Sequence, residues 1–546
     1  MSDAGTIDGD YDYIIVGAGS AGCILANRLT ADPKCRVLLL EAGMEDRTIW
    51  MKIPFGYAYT IGDPRYDWSF KTSPEPELHN RQIIHPRGKA LGGSSSINGL
   101  FQVRGQAGDF DHWRQLGLEG WGWDSVLPYF IKHEDYKGGA SDLHGAGGEL
   151  RVEPQRNWWP VLHVIKGAAK QAGCNECADF NAGDNEGIGL YHAITRNGIR
   201  ASTSRAFLKP VRSRPNLKVE TEALAQRILF GGKRATGVAY RQGGELKKAF
   251  AAREVIVSTG AIKTPQLLQV SGVGPAAWLS QNGVAIVADK PGVGENLQDH
   301  LQVGMVYKLD GIGTLNQAYN SLTGRMKIFL QYLLSRSGPM GSGATPLGIF
   351  VRSDKDHDRA NVAYTIIPYS RNLTAGLGMN FHDHPGVTIS AYDCRPTSRG
   401  TIKLTGSEMA DQPDIRFNYL STDHDRRVAV DAMRFTRKLM AQPAVFPFKP
   451  EELKPGSSAG DDDTSLLEAF RELSTTIFHP VGTAKMGRRD DATAVVDARL
   501  KVIGLEGLRV VDASVMPTVT SGNTNAPTMM IAEKASAMII EDARAT

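Results

Sequence analysis

The stretch "YDYIIVGAGSAGCILANRLTADPKCRVLLLEAG", residues 11–43, decides the fold. "YIIVGAG" is a short β-branched apolar run ending in glycines, the pattern of a strand buried in a parallel sheet. Gly17, Gly19 and Gly22 give the spacing GxGxxG, and "CILANRL" continues as a helix. "VLLLE" is a second apolar strand, ending on Glu41. Each glycine has its own task in such a unit. Gly17 allows a tight turn, Gly19 lets the backbone approach a pyrophosphate, and Gly22 lets the helix pack closely on the strand. The helix start at Ser20 and Ala21 offers amide donors and partial positive charge to phosphates. Glu41, followed by Ala42, stands about twenty residues beyond the glycines, where a carboxylate accepts from a ribose diol. This context predicts a dinucleotide site, but the motif alone does not separate FAD from NAD.

Further along, the strand–helix alternation gives way to loops such as "PFGYAYTIGDPRYDW" (54–68). "LKVETEALAQRILF" (217–230) and "ATGVAY" (235–240) read as strands, and "VIVSTGA" (255–261) as a buried strand entering a glycine turn. "TPQLLQVSG" (264–272) reads as a helix with Pro265 near its first position. Between 300 and 475 the texture changes to strands ("VTISAYDC", "GTIKLTG") and one long helix, "HDRRVAVDAMRFTRKLMAQP". The chain then returns to strand–turn–helix. The expectation is an α/β fold (α+β overall). A Rossmann-like dinucleotide domain would be built from residues 1–155, 195–300 and 480–546. A substrate domain from 156–194 and 301–479 would carry a mainly antiparallel sheet flanked by helices.

The 546 residues are 41% hydrophobic and 22% charged with net charge +3, which excludes nucleic acid or an anionic membrane as a partner suggested by bulk charge. Five cysteines (23, 35, 174, 177, 394) argue against a disulfide scaffold, and Cys174 and Cys177 lack the context of a redox or zinc motif. The triplet "NLT" at 372–374 reads as a chance glycosylation match. The start has no signal-peptide pattern, and no run approaches the roughly 18 to 20 apolar residues of a membrane span, so a cytoplasmic protein is expected. His382 and His384 have metal-pair spacing without a third ligand, so no metal is expected; His85 and His300 read as structural.

Five ordered blocks carry a resemblance to a known family: "GKALGGSSSINGLFQVRG" (88–105), "GAIKTPQLLQVSGVG" (260–274), "PGVGENLQDH" (291–300), "HPVGTAKMG" (479–487) and "GLRVVDASVMP" (507–517). Over nearly its full length the chain resembles the glucose–methanol–choline oxidoreductases, choline oxidase and choline dehydrogenase-like bacterial members above all. The resemblance implies FAD. The flavin would lie along the "ALGGSSSING" block, against Ala90, Gly92, Gly93, Asn98 and Gly99. Asp512, Ala513 and the helix opened by Asn523 and Thr524 would meet the pyrophosphate and the N1–C2 end, and Ala223 the adenine. Some choline oxidases bind FAD through a histidine where this chain has Ile97, so non-covalent FAD is expected.

Oxidising an alcohol removes a proton from the hydroxyl and a hydride from its carbon, and the flavin takes only the hydride. His479 suits the proton, and Pro480 biases it towards extended geometry. The resemblance makes it the catalytic base and Asn523 the residue that orients the hydroxyl. Ile477, Phe478, Gln302 and Phe350 are expected to line the substrate pocket. Choline-type members carry a glutamate where Gln302 stands. Choline is therefore disfavoured, although an aromatic cage is an alternative. A primary alcohol leads, with a polyol or a non-redox FAD-containing lyase as alternatives. The acceptor is oxygen or a quinone, and the chain a monomer or homodimer.

Overall fold

The computed structural model describes residues 5–155, 158–343, 345–372 and 380–545. Two seven-stranded sheets organise it. The first has the order 217–220, 37–40, 6–16, 245–257, 234–242, 223–231, and 508–510 also pairs with 245–257. Strands 217–220, 37–40, 6–16, 245–257 and 508–510 are parallel, while 223–231 and 234–242 add an antiparallel edge. Ile14–Val16 and Val37–Leu40 are buried, as a parallel sheet covered on both faces requires. The helices Ser20–Leu29 and Asn525–Ala545 pack on each other beside it.

The second sheet, in the order 451–454, 301–308, 386–393, 362–367, 347–351, 187–190, is antiparallel throughout. The predicted long helix, Asp423–Met440, lies on it, with acidic residues in its first turn and basic ones in its last. One short pairing matters most for the site: Thr475–Thr476 joins Leu301–Gln302 antiparallel. It brings chain segments far apart in sequence into register.

The helix expected to start near Pro265 starts at Gly260 and runs to Val270, so Pro265 is interior. A proline there leaves the carbonyl four residues earlier without its helical donor. That carbonyl, of Ala261, accepts from Thr483 Oγ1 at 2.6 Å instead. All five cysteines are free thiols. Among the described residues no helix is long and apolar enough to cross a membrane. Two residues of the 372–374 triplet lie outside the described residues.

Candidate active site

A cavity of about 460 Å³ lies between the two sheets and receives residues from both. At one end it meets the Gly17–Ala21 turn. A Cβ on Gly19 would touch nothing within 4 Å, whereas one on Gly22 would stand 1.9 Å from the Gly17 carbonyl oxygen. Gly19 therefore keeps space open for a ligand and Gly22 keeps the helix on its strand. The helix Ser20–Leu29 has no side-chain cap and no acid in its first turn. The C-terminal helix likewise has no acid in its first turn, and Asn523, Thr524, Asn525 and Thr528 line the cavity. Two helix N-termini thus present donors and positive potential to one space, a donor set that fits a dinucleotide. Glu41 accepts from the Ala18 and Gly43 N–H groups at 2.9 and 2.8 Å. Burial raises it to about 7 against those two bonds.

At the other end the geometry is set by side chains. Asp299 Oδ1 accepts from the His479 backbone N–H at 2.6 Å. Its Oδ2 accepts from Thr476 Oγ1 at 2.5 Å and Tyr419 Oη at 2.6 Å. Burial lifts this carboxyl to about 6, opposed by those bonds. Phe478 has φ of 70°, a region that bulky residues avoid. It is held there because its N–H donates to Thr476 Oγ1 at 2.7 Å and its carbonyl accepts from Arg87 Nη2 at 2.6 Å. His479 projects from this fixed backbone.

The imidazole tautomers follow from one acceptor. The Cys394 carbonyl, 3.0 Å from His300 Nε2, can only accept, so His300 carries its proton on Nε2. Its Nδ1 is then a lone pair, and His479 Nδ1, 2.9 Å away, must donate to it. This leaves a lone pair on His479 Nε2, which accepts from Asn523 Nδ2 at 3.0 Å. Both rings are neutral. Burial takes His300 down to about 4. Burial, then His300 and Arg87, hold His479 well below the usual imidazole value.

A second orientation is fixed beside the "GGSSSIN" block. The Arg200 guanidinium is buried among carbonyl oxygens, donating to Ser95 O, to Asn98 Oδ1 at 2.8 Å and to Pro54 O. Burial lowers it to about 9, which leaves it charged at neutral pH. Leu100 N–H also donates to Asn98 Oδ1, at 3.1 Å. With that oxygen twice engaged, what Asn98 has left to offer the cavity that it lines is its Nδ2 donor.

Of the expected cofactor residues, Gly17, Gly19, Ser20, Ala21, Glu41, Ala42, Gly93, Asn98, Gly99, Ala223, Asp512, Ala513, Asn523 and Thr524 line the cavity. Gly22, Ala90 and Gly92 stand one layer behind. Ala90 packs with Met51 and Ile97, and Gly92 N–H donates to Ala18 O. His479, Ile477, Phe478 and Gln302 line the cavity too. Phe350 does not: its strand turns it into an aromatic cluster with Phe180 and Tyr191, so the pocket expectation for it is corrected. His382 and His384 stack on each other, and His384 Nδ1 donates to Pro385 O. Sequence reasoning missed Arg87, Arg200, Asp299, Thr476 and above all His300, which it read as structural. Only its place as the last residue of the "PGVGENLQDH" block hinted at it.

The GMC oxidoreductase family matches at both ends of the chain, its N-terminal model over residues 11–302 and its C-terminal model over 396–532. The chain is 44% identical over 533 residues to the oxygen-dependent choline dehydrogenase of Burkholderia vietnamiensis (strain G4 / LMG 22486), covering 96% of this chain and 92% of that protein. Its structure is similar to pyridoxine 4-oxidase from Mesorbium loti, with TM-score 0.87 and 28% identity over 97% of this chain and 99% of that one. It is also similar to formate oxidase from Aspergillus oryzae RIB40, with TM-score 0.92 and 26% identity over 99% of each chain. The glycine turn, the sheet that carries it and these likenesses place the chain in the GMC oxidoreductase family, as an FAD-dependent oxidoreductase acting on CH–OH donors.

Proposed function

We propose that the protein oxidises a neutral primary alcohol to its aldehyde, with His479 as general base and Asn523 orienting the hydroxyl. The observation that carries this reading is the relay from Cys394 O through His300, which leaves the His479 Nε2 lone pair beside a donor amide. An alcohol in that position gives its O–H to Nε2 and accepts from Asn523 Nδ2, so its oxygen cannot rotate. FAD, when bound, accepts the hydride at N5. The first sheet and its helices hold the cofactor and the second sheet the substrate. Gly17–Ala21 and Thr524 hold the pyrophosphate, Glu41 the ribose diol, Ala223 the adenine, and Asp512 with Ala513 the flavin end. Gly93, Asn98 and Gly99 would flank the ring. Ile97 carries no nucleophile, which supports non-covalent FAD.

Charge bears on the substrate. Among the described residues that line the cavity, the acids are Glu41 and Asp512, assigned above to the cofactor, while Arg87, Lys263 and Arg371 are cationic. With Gln302 on the wall a quaternary ammonium meets no carboxylate there. This favours neutral aliphatic, aromatic or furanic alcohols over the choline named for the Burkholderia relative. Anaerobic titration of the yellow protein with a panel of alcohols tests the reading. Bleaching by neutral primary alcohols is expected, and rapid return of colour in air would mark oxygen as acceptor rather than a quinone. Faster bleaching by choline would overturn the substrate assignment. No bleaching by any alcohol would favour a non-redox FAD-containing lyase of this fold.

A further inference from the structure

The helix Leu322–Ser335 is built inside out. Leu322, Met326, Phe329, Leu330, Leu333 and Leu334 fall on one stripe at helical spacing, yet they are between 44 and 82% exposed. The side turned towards the body holds Gly324, Ile328 and Tyr332, which are only partly buried, and no residue of the helix is fully buried. An ordinary surface helix turns its apolar stripe to the core. A contiguous apolar stripe of this size left in water marks an interaction surface.

The charge around it is equally one-sided. Arg325 and Lys327 flank the stripe on opposite sides and Arg336 ends the helix. From Gly311 to Ser353 the chain contains no acidic residue. The net charge of +3 conceals this local segregation. Leucine and phenylalanine on one face, with cations at its borders, are what a helix needs to lie in a headgroup layer. The long basic stems follow the apolar surface while their ends reach phosphates.

The helix also borders the catalytic cavity. Tyr319, just before it, meets Phe381 edge-on at 4.7 Å, and Phe381 lines the cavity. The Pro339–Gly341 turn after it packs on Pro54–Gly56. From there the chain enters Tyr57, Ala58 and Ile61 of the cavity wall, with Tyr59 and Ile49 exposed nearby.

We propose that this face docks on the surface of an anionic lipid bilayer, the helix lying in the interface without crossing it. A second copy of the chain is the competing occupant. A two-fold contact would set Arg325 and Lys327 of one helix near those of the other, with no acidic group in either helix to meet them. Lipid phosphates supply that missing charge.

The test is flotation of the full-length FAD-loaded protein with vesicles of phosphatidylcholine, or of phosphatidylcholine with about a third phosphatidylglycerol. Binding to the anionic vesicles, weaker on neutral ones and weakened by salt, is expected. The double substitution Phe329→Ser and Leu333→Ser should lower partition by about tenfold or more. It should leave alcohol turnover with a soluble dye unchanged. Arg325→Gln with Lys327→Gln should remove the preference for anionic lipid, which gives a second handle should the serine variant fold poorly. Absence of flotation with both compositions, or flotation indifferent to both pairs of substitutions, would overturn the proposal. So would a dimer in light scattering that the serine variant dissociates while neither form floats.

Discussion

The two ends of the cavity are built by opposite means. The dinucleotide end is mostly backbone. Three glycines within one turn remove side chains, and two helix N-termini supply the donors. The end proposed for catalysis is mostly side chains, delivered by Arg87, Asp299–His300, Thr476–His479 and Asn523 and joined by a two-residue strand pairing. The difference teaches where each end is vulnerable. A backbone cradle fails when an atom is added to it, and a relay fails when an atom is taken away.

The largest expected effect belongs to the relay. His479→Ala should lower kcat/KM by about 10²- to 10⁴-fold with the flavin absorbance retained. Loss of FAD in that variant would break the division between the two ends. His300→Phe keeps a ring but removes the acceptor for His479 Nδ1–H. It should cost about 10- to 100-fold, the range by which the outer hydrogen-bond partners of metal-bound histidines matter. His300→Gln, whose carbonyl can accept, should recover part of that loss.

At the cradle, Gly19→Ala should weaken FAD binding by roughly tenfold, about 1.4 kcal/mol, in a fluorescence titration. The apoprotein's Tm should not move, because the added Cβ meets open space. Gly22→Ala should instead lower the apoprotein's Tm, because its Cβ meets the Gly17 carbonyl.

The pH profile sharpens the relay further. Burial depresses His479, so its neutral, proton-accepting form persists to lower pH than for a free imidazole. The acid limb of kcat/KM assigned to it should have its midpoint below pH 6.5, the ordinary value. A midpoint above 6.5 would mean that burial and the neighbouring Arg87 do not disfavour the charged ring. The smallest effect on activity is expected at Phe350→Leu, which should leave KM unchanged and cost about 1–2 kcal/mol of stability in a denaturant titration.

How much of this was legible followed the same division. The glycine turn was readable because GxGxxG is a local spacing with a local cause, and the strand before it announced itself by burial. His479 and Asn523 were placed by resemblance. Their geometry was not readable, because it depends on the pairing of Leu301 with Thr476, a register that sequence spacing does not encode. His300 was misread for that reason. In the sequence it is one histidine after an aspartate, and only the fold sets it between the Cys394 carbonyl and His479. Phe350 was misplaced because an aromatic residue on a buried strand has two faces to choose from. The outward stripe of 322–334 was not singled out in the sequence, and a helical period would not in any case reveal which side faces water.

The interior proline has a consequence for anyone diversifying this chain. Ala261 O takes its hydrogen bond from Thr483, in the same loop as His479, because Pro265 has no N–H to give. Thr483→Val alone would orphan a buried carbonyl, at about 1–3 kcal/mol. In a Pro265→Ala background the helix can close its own bond, and the same change becomes cheaper. The two positions are therefore epistatic, and a library that varies the loop of His479 without varying position 265 will discard sequences that the fold could accept.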